Sequence, residues 1–154
     1  MNSDRIEKSV VLRAPRSKVW HALTDAQALG EWFGLKLNGS LSPGARLQGQ
    51  VSHKGYEHVR LEIVVERMEP ERLFSWRWHP HPIDPNSDYS REPMTLVVFE
   101  LADDPAGTRL TVAESGFDSI PLTRRMEAFR SNEQGWGLQM EAIARYVGQD
   151  AQSA

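Results

Sequence analysis

Hydrophobic and polar residues alternate with a period of two along much of the first two thirds of the chain. The clearest run is Val59 to Val65, where Val59, Leu61 and Ile63 alternate with polar neighbours. Such alternation is typical of a strand with one buried face. Turn signals separate comparable runs, which cover residues 6–13, 35–41, 45–53, 73–79, 94–101 and 109–116. Because consecutive strands are joined by short turns, the pattern predicts an antiparallel sheet.

The last part of the chain has a different period. Its apolar residues recur at helical spacing, and they are Leu122, Met126, Phe129, Trp136, Met140, Ile143 and Val147. This spacing predicts one face of a long amphipathic helix. Gly135 and Gly137 each weaken a helix by roughly 0.5–1 kcal/mol relative to alanine. A single helix and two helices meeting near Asn132 are therefore both compatible with the sequence.

Two short helices are predicted between the first strand and the rest of the sheet. Pro15 suits the first turn of a helix, and Thr24 or Asp25 can cap a second one. Gly34 follows as the end of that second helix. Strand, two short helices, about six strands and a long helix give an α+β fold.

Composition narrows the classes of function. The 154 residues fit one domain spanning residues 1–154, with a core of about residues 5–148. A net charge of −3 argues against nucleic-acid binding. There is no apolar run long enough for a membrane span, no signal peptide and no cysteine. We expect a cytoplasmic protein that binds neither nucleic acid nor membranes.

One connection is unusually long. Residues 79–93 contain four prolines and follow neither a helical nor a strand period. Loops of this length in compact domains are often functional. We interpret residues 80–93 as a lid over a site or as a mobile insertion.

Four motifs along the chain resemble those of a known family. They are Ala14–Thr24 (APRSKVWHALT), Trp32–Gly34, Glu114–Phe117 (ESGF) and Asn132–Trp136 (NEQGW). In this order they resemble the START-like (SRPBCC) superfamily, in the branch named after the activator of heat-shock-protein ATPase homologues. The resemblance covers roughly residues 5 to 148. It implies a helix-grip fold, in which a curved antiparallel sheet of six to seven strands surrounds the long C-terminal helix and leaves a cavity between them.

The chain departs from the family pattern in two places. Leu35 stands where members often have proline after the Trp-x-Gly motif, and Gly44-Ala45 stands where they often have two glycines. Both changes are conservative for the fold, but they leave the identity of a ligand open.

The candidate site consists mainly of aromatic residues. Large rings of this kind stabilise any core, whereas the resemblance implies that some of them line a cavity. The predicted ligand-binding residues are Trp32, Phe33, Trp76, Trp78, Phe99, Glu114, Phe117, Phe129, Trp136 and Met140. Trp32 and Phe33 would close one end of the cavity. Glu114 shares its strand face with Leu110 and Val112, so its carboxylate either points inward as a polar anchor or reaches solvent at the rim.

The other polar residues give weaker evidence of a functional site. His58, Arg60 and Glu62 lie opposite the apolar face of their strand, which favours a solvated array. His79 and His81 have no third ligand at suitable spacing, so we predict no metal site. No nucleophile elbow or phosphate loop occurs, and no catalytic residue or cofactor is predicted.

Three functions follow, and the first is preferred. The protein is expected to bind a small apolar or amphipathic ligand between the sheet and the C-terminal helix, as a monomer or a homodimer. The alternative is an enzyme of the cyclase or aromatase kind, or a hydrolase, using Glu114 as an acid or base. The third is a regulator of a chaperone ATPase in the stress response, as the family's name suggests.

Overall fold

The computed structural model of the protein describes residues 4–82 and 88–153. Its strands are β1 (Arg5–Leu12), β2 (Leu35–Asn38), β3 (Arg46–Val51), β4 (Arg60–Glu69), β5 (Leu73–Trp78), β6 (Thr95–Asp104) and β7 (Gly107–Ser115). Its α-helices are α1 (Arg16–Thr24), α2 (Ala26–Phe33) and α3 (Leu122–Ser153). A 3₁₀ turn, Phe117–Ser119, precedes α3. Five of the predicted loop residues, 83–87, lie outside the described residues.

The strands form one antiparallel sheet in the order β1-β7-β6-β5-β4-β3-β2. Strands β2 to β7 pair as consecutive neighbours, and β1 joins the far side of β7, with Ile6 opposite Glu114. The chain therefore crosses from one edge of the sheet to the other through α1 and α2. The predicted helix-grip fold is confirmed.

Local signals set the ends of α2 as predicted. The Asp25 side chain accepts a hydrogen bond from the Ala28 backbone N–H at 3.0 Å, which satisfies one of the free donors of the first turn. Gly34 ends the helix in the left-handed region with φ 88°, where glycine is favoured. These two ends make Phe33 the last residue of α2, two residues before β2 begins.

The C-terminal segment is one helix, without a break near Asn132. Its buried face is shorter than the apolar stripe, because Leu122 is 77% exposed and Met126 is 53% exposed. Burial begins with Ala128, and Phe129 packs edge-on against Phe117 with ring centroids 5.2 Å apart. The first turn of α3 therefore extends past the core.

A cluster of aromatic rings fills the space between α3 and the middle of the sheet. Trp76 and Phe99 are fully buried, and their ring centroids lie 5.1 Å apart. Trp136 of α3 packs on both, at 6.5 Å from Trp76 and 5.7 Å from Phe99. Ring pairs in such tilted and edge-on arrangements add about 0.5–1.5 kcal/mol each beyond burial. The centre of the helix grip is thus a packed core.

Candidate functional site

A fully buried carboxylate, Glu114, lies at the end of this core. Its Oε2 accepts hydrogen bonds from Trp78 Nε1 at 2.8 Å and Thr95 Oγ1 at 2.6 Å. Its Oε1 accepts from Asn132 Nδ2 at 2.9 Å and Trp136 Nε1 at 2.8 Å. Each oxygen therefore has two donors, which uses the acceptor capacity of the group.

The topology explains how four donors reach one side chain. Glu114 is near the end of β7, opposite Val97 of the neighbouring β6. Trp78 ends β5 and Thr95 starts β6, where the two residues are paired across the sheet. Asn132 and Trp136 are four residues apart on α3, so they lie on the same face of the helix. The carboxylate thus ties three strands to α3.

All four donors are neutral groups. A buried charge is costly unless it is hydrogen-bonded, and hydrogen bonds to an ionised group are about twice as strong as neutral ones. The network therefore compensates the burial of Glu114 through hydrogen bonds and not through a salt bridge. The same bonds fix the orientations of Trp78, Asn132 and Trp136.

Beside this network is a half-open pocket of about 250 Å³. Its walls come from the end of α2 with the start of β2, from the β3–β4 connection, from the end of β5 and from α3. The lining residues are Phe33, Gly34, Leu35, Val51, His53, Val59, Leu61, Trp78, His79, His81, Pro82, Ser131, Asn132, Gly135, Trp136 and Gln139. Glu114 is separated from the pocket by its own donors Trp78, Asn132 and Trp136.

The predicted binding residues divide into two groups. Phe33, Trp78 and Trp136 line the pocket together, with ring centroids 5.7–6.0 Å apart. Glu114 lies directly behind them, pointing inward and not at a solvent-exposed rim. The remaining predicted residues do not line this pocket, and they are Trp32, Trp76, Phe99, Phe117, Phe129 and Met140. Their role as ligand contacts stays a prediction.

Packing explains why this second group lies elsewhere. Trp32 donates its indole N–H to the Ala22 carbonyl at 2.8 Å, which turns the ring toward α1. Trp76 and Phe99 are in the middle of the ring cluster. Phe117 and Phe129 pack on each other at the start of α3.

Four polar or small residues of α3, one of them Ser131, line the pocket and were not among the predicted site residues. Asn132, Gly135 and Gln139 line the pocket with Trp136. Their positions i, i+3, i+4 and i+7 mark one face of a helix. The apolar stripe counted only the hydrophobic members of that face, so a search for polar and small residues at the same spacing would have found them.

Two histidines that follow β5 contact groups outside the pocket. Nε2 of His79 is 3.0 Å from the Glu92 carbonyl oxygen, and Nε2 of His81 is 3.4 Å from Glu127 Oε1 on α3. Arg124 pairs with Glu92 at 2.7 Å and donates to the His81 carbonyl at 3.3 Å. Both sides of the connection are therefore attached to α3.

The β3–β4 connection is held by a different carboxylate. Glu57 Oε1 accepts from the Gly55 backbone N–H at 2.6 Å, and the Glu57 carbonyl accepts from Gln50 Nε2 at 2.8 Å. Backbone N–H groups of Glu57 itself and of Gly55 lower the pKa of the Glu57 carboxyl. This connection carries His53, whose ring lies against Gly34 closely enough that a Cβ there would come 2.2 Å from Nε2.

Comparisons with known proteins agree with this fold. The family described as Activator of Hsp90 ATPase homolog 1-like protein matches residues 13–148. None of the curated proteins matches the chain. No helix of the described residues is both long enough and apolar enough to span a membrane.

Solved structures of similar proteins cover almost the whole chain. Protein MLL2253 from Mesorhizobium loti is 23% identical with a TM-score of 0.74, over 94% of this chain and 97% of that one. DynU16, from the dynemicin biosynthetic locus, is 25% identical with a TM-score of 0.71, over 94% of this chain and 47% of its own length. The Aha1 dimer from Colwellia psychrerythraea is 17% identical with a TM-score of 0.69, over 93% and 95% of the two chains.

Proposed function

The chain belongs to the family of Activator of Hsp90 ATPase homolog 1-like proteins, and from this premise we propose that it binds a small apolar or amphipathic molecule in the pocket beside Glu114. The observation that carries the proposal is a half-open pocket of about 250 Å³ walled by the rings of Phe33, Trp78 and Trp136. Ligand sites are typically concave and mostly apolar, with a few placed polar groups.

The size of the pocket limits the ligand. An apolar cavity of about 150 Å³ accommodates benzene, while typical sites for drug-sized molecules run from about 300 to 1,000 Å³. A pocket of about 250 Å³ therefore suits a molecule of one or two rings, or one end of a longer molecule that extends through the open side.

A glycine inside α3 gives a position from which the pocket can be filled. Gly135 lines the pocket, and a Cβ added there would meet no atom within 4 Å. Glycine in a helix interior costs about 1 kcal/mol relative to alanine. Gly137 has the same open surroundings outside the pocket, so the use of Gly135 is that a larger side chain can be placed at the pocket wall from there.

The enzyme alternative has less support. An acid or base must come within hydrogen-bond reach of the proton it transfers. Glu114 is fully buried, and its oxygens are occupied by two indoles, a hydroxyl and an amide. In this arrangement it positions pocket residues and does not contact a ligand.

Filling the pocket from α3 tests the proposal. Gly135→Leu places a side chain in the pocket, and Gly137→Leu is the matched control, because a Cβ at Gly137 also meets no atom within 4 Å and Gly137 is outside this pocket. Naphthalene is the probe, followed by ¹H–¹⁵N NMR of the indole N–H signals of Trp78 and Trp136. We expect saturable shifts in the wild type and in Gly137→Leu, and at least about tenfold weaker binding in Gly135→Leu, which corresponds to about 1.4 kcal/mol.

Two outcomes would contradict the proposal. One is the absence of saturable indole shifts in the wild type, together with no small molecule co-purifying in native mass spectrometry. The other is equal loss of binding in both leucine variants, which would point to a general effect on α3.

A further inference from the structure

Two amide side chains of α3 have orientations fixed by the protein. Asn132 Nδ2 donates to Glu114 Oε1 at 2.9 Å, and Gln139 Nε2 donates to the Phe33 carbonyl oxygen at 2.9 Å. Amide oxygen and nitrogen are normally assigned from their partners. Here the acceptors are a carboxylate already bonded by indole N–H groups and a peptide carbonyl, so the nitrogen must face each of them.

This leaves two carbonyl oxygens at the pocket. Asn132 and Gln139 both line it, and no group of residues 4–82 or 88–153 donates a hydrogen bond to Asn132 Oδ1 or Gln139 Oε1. The two residues are seven apart, so they lie on one face of α3 about 10 Å from each other along the axis. The pocket thus offers hydrogen-bond acceptors at two separated points of one wall.

Charge distinguishes between ligand classes. No lysine, arginine, aspartate or glutamate lines the pocket, and its titratable side chains are the histidines His53, His79 and His81. Nε2 of His79 and Nε2 of His81 already face the Glu92 carbonyl oxygen and the Glu127 carboxylate. The nearest buried acid is Glu114, one layer behind the wall, and its partners Trp78, Thr95, Asn132 and Trp136 are all neutral. An anionic ligand would lose hydration without meeting a lysine or arginine on the wall, and it would approach the Glu114 carboxylate, a group of the same sign.

We propose that the pocket selects a neutral aromatic ligand that donates hydrogen bonds, as a phenolic hydroxyl does, and rejects carboxylates. The rings of Phe33, Trp78 and Trp136 take the aromatic part, and Gln139 Oε1 and Asn132 Oδ1 accept from the donors. This selectivity rests on the proposed function, since it requires that the pocket binds a ligand.

A matched series of probes on one ring system tests the selectivity. The probes are naphthalene, 2,6-dihydroxynaphthalene and naphthalene-2,6-dicarboxylate, titrated by isothermal calorimetry at pH 7.5. One hydrogen bond contributes about 0.5–1.5 kcal/mol net. We therefore expect the diol to bind about 2- to 12-fold more tightly than naphthalene for each hydrogen bond that it donates. The dicarboxylate should bind more weakly than naphthalene.

Variants of two glutamines on the same helix identify the acceptor. Gln139→Leu removes one acceptor, and Gln134→Leu is the control, since Gln134 is exposed and outside the pocket. We expect the diol-to-naphthalene affinity ratio to fall about 2- to 12-fold in Gln139→Leu and to stay unchanged in Gln134→Leu. Because the ratio is taken within each variant, a change in overall stability cancels.

The outcomes separate the two proposals. If none of the probes binds the wild type, the proposed function fails. If naphthalene binds but the dicarboxylate equals the diol, or the ratio is unchanged in Gln139→Leu, the selectivity fails while the binding function stands. Should Gln139→Leu not fold, the comparison of the diol with the dicarboxylate in the wild type still decides.

Discussion

At the scale of single residues, Glu114 holds residues of the pocket wall without lining the pocket itself. It fixes the indoles of Trp78 and Trp136 and the amide of Asn132 in the pocket wall. Each of its two oxygens accepts two hydrogen bonds. A buried hydrogen-bonding partner such as Glu114 holds the residues that contact a ligand in a defined geometry. The consequence of changing Glu114 is therefore expected first in stability and then in binding.

Glu114→Gln should destabilise the fold despite its similar shape. One carboxylate oxygen becomes an NH₂ group, which then faces two donors, either Trp78 with Thr95 or Asn132 with Trp136. Leaving buried donors unpaired costs about 1–3 kcal/mol, and more for a charged partner. We expect a loss of about 2–4 kcal/mol in the free energy of unfolding, measured by urea denaturation.

A control for this variant lies on the adjacent strand. Glu7→Gln removes an exposed carboxylate of β1 whose ion pair with Arg5 is at the surface, and it should change stability by less than about 0.5 kcal/mol. Equal stability of Glu114→Gln and Glu7→Gln would show that the buried network contributes nothing beyond its shape.

At the scale of elements, α2 is the shortest α-helix among the described residues, and it supplies one wall of the pocket. It spans Ala26–Phe33, and its last residue lines the pocket while Asp25 caps its first turn. Short helices depend on caps and packing, because isolated helices of this length are marginal in water. The position of Phe33 in the pocket wall therefore depends on Asp25, at the opposite end of α2.

Asp25→Ala should loosen this wall. Loss of an N-cap costs about 0.5–2 kcal/mol, and the effect should reach the Gly34 amide, which bonds to the Gly30 carbonyl at 2.9 Å. We expect faster hydrogen exchange at Gly34 and a lower free energy of unfolding. Asp103→Ala, which removes an exposed partner of Arg16 at 3.1 Å, is the control and should leave Gly34 exchange unchanged. Unchanged exchange in Asp25→Ala would mean that packing alone holds α2.

The elements were predictable from the sequence, but the division into core and pocket was not. Alternation placed Trp76 and Trp78 on the same face of β5, and both are buried. Only Trp78, at the end of the strand, lines the pocket, because α2 and the β3–β4 connection meet there. That difference depends on contacts between distant segments, such as Gln139 with the Phe33 carbonyl. The spacing of hydrophobic residues shows which face of a strand or helix is buried, but it does not show which other segment covers that face.

At the scale of the whole molecule, the aromatic cluster and the pocket are neighbouring regions with different tasks. Trp136 belongs to both, since it packs on Phe99 and also lines the pocket. Farther along β7, Leu110 is fully buried four residues from Glu114, roughly 13 Å along the strand. A substitution in the core away from the pocket should therefore change stability without changing binding.

Linkage between binding and unfolding provides the test. Leu110→Ala should lower the free energy of unfolding by about 2–5 kcal/mol through the cavity it leaves. A probe at 100 times its dissociation constant stabilises a folded protein by about 2.7 kcal/mol. If the pocket is intact in Leu110→Ala, naphthalene should stabilise this variant by as much as it stabilises the wild type, whereas its stabilisation of Gly135→Leu should be smaller by at least about 1.3 kcal/mol at the same concentration. If naphthalene does not stabilise Leu110→Ala, the cavity left in the core also disrupts the pocket, and core and pocket are not separable.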